Sequence, residues 1–263
     1  MLPGKIRRRA KLTISSVCGL LPFFEWKLRA TRVVGTVVMF AREHREVRRI
    51  RRSRQERSRP LVATIIPTYQ RPESLVRAVQ SALDQTITDQ VVVVVDDGGG
   101  LPALPADQRL VVHSLSTNLG VAGCVRNVGL QVTDSDYIAF LDDDNLWAPE
   151  HLERSLSRHG GAASITYTGM QRVFGDGTKL DVLMEPFDRR TLRDRSYIDI
   201  NTVVVRRNKY VRFSRIPRGF RDWPGEDWEL VWRLTRRLEI QPIHEITVTY
   251  RVHRGSYYNR WDL

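Results

Sequence analysis

What is scarce in this sequence narrows it first. Only two cysteines, Cys18 and Cys124, occur in 263 residues. That is too few for a disulfide framework or a thiolate metal site, and it fits a reducing compartment. No stretch reaches the ~20 apolar residues that a membrane-spanning helix needs. The uncharged run 12–24 is short, and 33–41 is shorter still. A basic start before a short apolar run suits a signal peptide, but no small-x-small cleavage site follows, and Glu25, Lys27 and Arg29 come at once. The first strong apolar run, 61–66, is followed by Pro-Thr-Tyr and not by a glycine-rich phosphate turn, which counts against a dinucleotide dehydrogenase. The missing Gly- and Lys/Arg-rich triphosphate loop counts against a nucleotidyltransferase. There is no internal repeat, and the arginine run 42–59 is the one biased segment.

Acidic residues are also scarce, but only at one end. The formal net charge is +12. Residues 1–59 carry a net +13 and residues 60–263 a net −1, so the basic character belongs to an N-terminal arm. Arg, Glu and Gln favour helix there. A solvated leader is the plain reading of this arm. A membrane-surface helix is the favoured one, with Leu20, Leu21, Phe23, Phe24 and Trp26 in the lipid interface and arginines at anionic headgroups. Nucleic acid is not an expected partner, because no reading motif accompanies the charge. The expected location is cytoplasmic, peripheral at the inner face of the cell membrane.

What is present from residue 60 onward is alternation. Apolar strands are predicted at 61–66, 91–95, 110–115 and 137–141, with helices at 73–83, 121–131 and 149–157. This pattern gives an α/β doubly wound, mostly parallel sheet. A hairpin is predicted from 163–174 and 178–184, a strand at 198–205, a helix at 225–238 and a strand at 243–252. The division expected is a basic arm (1–59) and one domain (60–263), itself made of halves at 60–160 and 161–263. In such sheets ligands sit at the carboxyl ends of strands. Thr68 and Arg71, Asp96 and Asp97, Asn118, and Asp142 to Asp144 all fall at such ends.

The stretch Asp136-Tyr137-Ile138-Ala139-Phe140-Leu141-Asp142-Asp143-Asp144-Asn145 runs from a buried strand straight into three carboxylates. Like charges side by side repel, and a hard divalent cation such as Mg²⁺ or Mn²⁺ removes that penalty. A solvated acidic turn is the alternative. If the segment is extended, Asp142 and Asp144 point the same way and can share one metal.

Six motifs in order then resemble a family. They are Pro67-Thr68-Tyr69-x-Arg71, Val95-Asp96-Asp97-Gly98, Asn118-x-Gly120 with Arg126-Asn127-x-Gly129, Leu141-Asp142-Asp143-Asp144-x-x-Trp147-x-Pro149, Gly225-Glu226-Asp227-Trp228-Glu229-Leu230, and Tyr250-Arg251-Val252-His253. This set resembles family 2 glycosyltransferases of the A-type fold. The resemblance implies a single Rossmann-like domain that moves a sugar from a nucleotide-diphosphate-sugar donor to a hydroxyl on a glycan, lipid-linked or small-molecule acceptor. It implies a divalent cofactor, Mn²⁺ or Mg²⁺, held by Asp144 and Asp142, with His253 as a further metal candidate and Arg251 as a diphosphate candidate. Pro67, Thr68, Tyr69, Arg71, Asp96, Asp97, Asn118, Gly120, Arg126, Asp142 and Asp143 would bind the nucleotide sugar. For Arg126 a surface helix charge is the alternative. Asp227 is the candidate general base of an inverting transfer, with Glu226 beside it. Trp223 and Trp228 are acceptor candidates, although core packing is an equal reading for Trp228. Two departures leave the nucleotide open: Gly98-Gly99-Gly100 stands where serine usually follows the first glycine, and Asn145 where a further aspartate is frequent. A non-catalytic nucleotide-sugar or partner-binding relative is the competing function. The short region after Ala163 suits a single transfer over processive synthesis.

Overall fold

The structure, a computed structural model, describes residues 19–53, 59–159, 163–218, 222 and 225–252. The predicted positions Trp223 and His253 lie outside these. Along the chain come α1 (Leu20–Thr31), α2 (Val33–Arg52), β1 (Val62–Thr68), α3 (Pro72–Leu83), β2 (Gln90–Asp96), β3 (Leu110–Ser114), α4 (Ala122–Val132), β4 (Tyr137–Phe140), β5 (Leu146–Trp147), α5 (His151–Ser157) and β6 (Ala163–Val173). Then follow β7 (Lys179–Leu183), α6 (Arg189–Asp194), a 3-10 turn (Ile200–Thr202), β8 (Val203–Arg206), α7 (Glu226–Leu234) and β9 (Glu239–Arg251).

One sheet carries the order β3-β2-β1-β4-β8-β6-β9-β5, with β7 paired to β6. The strands β1 to β4 are mutually parallel. β8 runs against both β4 and β6, and β9 runs parallel to β6. Six of the nine described strands therefore point the same way, as the α/β reading requires. β1 is buried along its whole length, because helices cover both faces of the sheet. Its side chains alternate: Ala63 and Ile65 enter one apolar cluster with Val93, Val95 and Val128, while Val62 and Ile66 enter another with Leu75, Val79 and Val94. At Gly129 an added Cβ would lie 2.7 Å from Ile65 Cγ2, so glycine is what lets α4 lie close on β1.

The N-terminal arm is helical where it is described, as expected, but its two helices are docked on the body, and Leu21, expected in a lipid interface, is instead buried at 1% exposure. Leu21, Met39, Val47 and Ile50 join the first apolar cluster, each worth roughly 1.5–3 kcal/mol of burial. Glu43, only 1% exposed, accepts from Asn127 Nδ2 at 3.1 Å, Gln131 Nε2 at 2.6 Å and the Arg215 guanidinium at 2.9 and 2.5 Å. Glu46 accepts from the Ser116 amide at 3.1 Å and from its hydroxyl. Burial pushes the Glu46 carboxyl up, but Ser116 and Arg49 outweigh it and hold it below its ordinary value. These glutamates, set within the arginine run, are the docking pins.

Smaller differences have local causes. The predicted strand 198–205 begins instead as a 3-10 turn, because Asp199 Oδ1 accepts from the Asn201 amide at 2.8 Å. The short strand β5 forms in a segment given no element from the sequence, pairing Leu146–Trp147 with Val248 and Thr249 of β9. The last predicted helix ends at Leu234, and β9 begins earlier than predicted, at Glu239. The hairpin of β6 and β7 forms as expected.

Candidate functional site

The carboxyl ends of the parallel strands open onto a cleft of about 540 Å³, lined by Pro67, Thr68, Tyr69, Arg71, Asp97, Asn118, Gly120, Arg126 and Asp142 to Asp144, among others. Most of the positions singled out in the first half of the sequence thus meet in one place. Behind β4 the chain turns, closed by the Asn145 amide on the Asp142 carbonyl at 3.2 Å, so the three aspartates are not extended. Each takes a different partner. Asp142 pairs with Arg126 and accepts from Asn201 Nδ2 at 3.0 Å, while its own amide donates to Asn201 Oδ1 at 2.5 Å. Asp143 accepts from Thr68 Oγ1 at 2.7 Å. Asp144 pairs with Arg71. Burial pushes the Asp143 carboxyl up to about 6, against the opposing Thr68 hydrogen bond and Arg71 charge. Asp142 and Asp144 keep 27% and 19% of their side chains exposed and face the cleft.

Arg126 is the hub. It lies on α4, is buried, and sits over the Phe213 ring at 5.1 Å. The surface-charge reading of this residue is therefore wrong. Its Nη2 pairs with Asp142, and its Nη1 lies 3.1 Å from Asp227 Oδ1 and 3.8 Å from Glu226 Oε1. One guanidinium joins an acid of the first half to two acids of the second. Asp227 and Glu226 open α7, where carboxylates favour the helix N-terminus. The Asp227 carboxyl is raised well above its ordinary value by burial, with Glu226, Asp142 and Asp199 adding to the rise and Arg126 opposing it. Its side chain retains 35% exposure, so solvent reaches it and moderates that rise.

The loops around the cleft are braced by buried acids. Asp97 accepts from the Leu119 amide at 2.6 Å and the Gly120 amide at 2.8 Å, and Asn118 Nδ2 donates to its carbonyl at 3.0 Å. Burial raises the Asp97 carboxyl above its ordinary range. Asp96 accepts from the Gly99 amide at 2.8 Å and does not line the cleft. Gly120 has φ +66°, a left-handed conformation that glycine adopts without strain. Tyr69 stands 46% exposed at the mouth. Trp228 does not reach the cleft: it is 1% exposed and donates from Nε1 to the Leu192 carbonyl at 2.6 Å. Core packing, not an acceptor platform, is its role here. Arg251 ends β9, its amide donating to Asn145 Oδ1 at 3.1 Å, and it is not among the cleft residues.

Sequence reasoning missed Asn201 and Asp199. Asn201 clamps Asp142 through two hydrogen bonds and is itself held by Asp199 Oδ1 at 2.6 Å. Burial, helped by Asp142, pushes the Asp199 carboxyl up to about 7. The available signal was two polar residues, two apart, inside an otherwise apolar run.

Comparison with known proteins now bears on this cleft. The family model Glycosyl transferase family 2 matches residues 63–219. The chain belongs to that family. An uncharacterized glycosyltransferase of Haemophilus influenzae is 30% identical over 175 residues, covering 60% of this chain and 67% of that protein. A putative teichuronic acid biosynthesis glycosyltransferase, TuaG, of Bacillus subtilis is 31% identical over 144 residues, covering 52% of this chain and 57% of its own length. Among solved structures, S. aureus TarS in complex with UDP-GlcNAc matches with a TM-score of 0.59 at 20% identity, over 76% of this chain and 61% of that one. This family 2 chain thus shares its fold with TarS, while spanning between about half and two thirds of these relatives' lengths.

Proposed function

We propose that this family 2 member is a metal-dependent, inverting glycosyltransferase that moves a sugar from a nucleoside-diphosphate sugar to an acceptor hydroxyl. The observation that carries the reading is the Arg126 hub, which draws Asp142 and Asp227 to one guanidinium. It puts a candidate base next to a candidate diphosphate site. TarS, a fold neighbour, holds UDP-GlcNAc, and the mannosyltransferase PcManGT from Pyrobaculum calidifontis, with a TM-score of 0.51, holds GDP-Man and Mn²⁺. These support the donor class and the metal.

Asp142 and Asp144 both line the cleft and would hold a divalent cation there. Among the described residues no cluster of three or more ligating His, Cys, Asp or Glu side chains forms. Asp142 and Asp144 offer two hard carboxylates, however, which suit Mg²⁺ or Mn²⁺ when substrate phosphates complete the shell. A bound cation would neutralise charge developing on the departing diphosphate. Arg71, 40% exposed, can leave Asp144 at little cost, since exposed pairs are weak, and turn its guanidinium to the diphosphate. Thr68, Tyr69 and Asn118 would line the nucleotide, with Asp97 holding their loop.

In the transfer, Asp227 takes the proton of the acceptor hydroxyl. That oxygen bonds to the anomeric carbon from the face opposite the diphosphate, and the carbon–oxygen bond to phosphate breaks, its electron pair leaving with the diphosphate. The raised affinity of the Asp227 carboxyl for a proton suits a base. Arg126 keeps it oriented while it is ionised.

A panel of UDP-, GDP- and dTDP-sugars, with Mn²⁺, Mg²⁺ or a chelator, tests the reading by release of free nucleoside diphosphate. Release from one donor, lost with chelator and in Asp144→Asn, is expected. Undiminished release in Asp144→Asn would reject the metal assignment. Metal-dependent donor binding without turnover on any acceptor would point to a binding module instead.

A further inference from the structure

Folding sorts the charges of the N-terminal helices by sign. The described carboxylates of α1 and α2, Glu25, Glu43 and Glu46, are all buried. Glu25 pairs with Arg218 at 2.6 Å, Glu43 with Arg215 at 2.5 Å, and Glu46 holds Ser116. Every lysine and arginine from Lys27 to Arg52 is exposed, while no carboxylate between residues 19 and 53 is. Arg29, Arg49 and Arg32 pair with Glu25, Glu46 and Asp222, but no exposed carboxylate on these helices offsets their other cations, so the outward surface is predominantly cationic.

That surface also carries bare apolar side chains. On α2 Val34 is 79% exposed, with Val33, Val37, Val38 and Phe40 also exposed, and on α1 Trp26 is 69% exposed. Adjacent large apolar residues left in water on one helix face mark a contact surface. A groove of about 710 Å³ next to them is lined by Val33, Val37 and Phe40 together with the cations Lys209 and Arg212. The face is fixed to the body: an added Cβ at Gly35 would lie 2.9 Å from Pro217, and Arg32 pairs with Asp222 at 3.0 Å.

We propose that α1 and α2 form a docking face for an anionic lipid bilayer. Such a surface takes both features at once: phosphate headgroups meet the arginines, and the acyl boundary receives Trp26 and the valines. A nucleic acid would use the cations and leave the valines in water. A second copy of this chain would bring its own cations against these. The inference does not depend on the sugar-transfer reading, because its test measures binding alone.

The full chain would be sedimented with vesicles of phosphatidylcholine, and with the same lipid containing roughly 30 mole per cent phosphatidylglycerol. We expect binding to the anionic vesicles only, weakened by salt, and lowered at least about tenfold by the paired change Val34→Asp and Val37→Asp at an unchanged Tm. No binding, or binding indifferent to that pair, overturns the proposal. So does a dimer in sedimentation velocity that the pair dissolves, or retention of nucleic acid, with no vesicle binding in either case. Should the double variant fold poorly, bromine-labelled lipids decide. They should quench part of the wild-type fluorescence, and that part should vanish in Trp26→Phe; quenching equal in both proteins overturns insertion of this face.

Discussion

Two arginine–carboxylate hubs in this chain are built in opposite senses. In the arm hub the carboxylate is hidden: Glu43 is 1% exposed on its side chain, and its partner Arg215 lies nearer the surface at 13%. In the cleft hub the cation is hidden, Arg126 at 3%, while Asp142 and Asp227 keep 27% and 35%. The buried member in each case makes several hydrogen bonds or ion pairs, as a buried charge requires. The exposed member is what the molecule presents. In the arm hub Arg215 is the outer member, and in the cleft hub Asp142 lines the cleft while Asp227 stands partly exposed behind Arg126. The same pair chemistry serves a scaffold in the first place and the proposed transfer site in the second.

Substitutions can break this contrast in graded steps. The largest effect should come from the exposed member of the cleft hub. Asp227→Asn should lower kcat by about 10²–10⁴-fold with a nearly unchanged donor KM, as read by steady-state kinetics; a kcat near that of the wild type would remove Asp227 as base. The mirror change in the arm, Glu43→Gln, should leave activity per folded molecule alone but cost about 3 kcal/mol by stranding Arg215. Thermal melting would report a fall of roughly 6–12 °C, and an unaltered Tm would mean that the arm is not docked as described. Next in size, Asn201→Ala removes the clamp on Asp142. A 10–100-fold loss in metal affinity or activity is expected, as for other outer-shell partners of ligands, and titrating the divalent ion separates this from a folding defect.

An effect of another kind, small near neutral pH, lies in the opposite layer of the sheet and titrates. His151 is fully buried, stacks on Trp147 at 4.3 Å and shares a 2.7 Å hydrogen bond with Thr247 Oγ1. Burial pushes its pKa down from 6.5 to about 3. The folded state thus keeps the ring neutral while the unfolded chain takes up a proton below pH 6.5. Stability from this residue is present above that pH and is lost on acidification toward pH 3, at about 1.4 kcal/mol per pH unit. Denaturant midpoints of His151→Gln across pH 4–7 should show a shallower slope than the wild type. Least of all, Arg154→Ala breaks an exposed pair with Glu245 at 3.1 Å and should shift stability by no more than about 0.5 kcal/mol, which calibrates the others.

Much was legible from the order of residues alone. Apolar runs such as 61–66 and 91–95 specify strands buried on both faces, because such runs suit no exposed surface. The polar residues that end those strands had to gather on one edge, since parallel strands share a direction. Thr68, Arg71, Asn118 and Asp142 to Asp144 are accordingly found in one cleft. Local order could not say which member of a pair is hidden. Nothing near Arg126 in sequence marks it as the centre of three carboxylates, two of which lie about a hundred residues away. Nor does an arginine-rich run show that Glu25, Glu43 and Glu46 turn inward. Asn201 was passed over because its meaning depends on Asp142, brought beside it only by the pairing of β4 with β8. Backbone pattern is set by neighbours along the chain, whereas the burial of a charge is set by whatever tertiary packing brings against it.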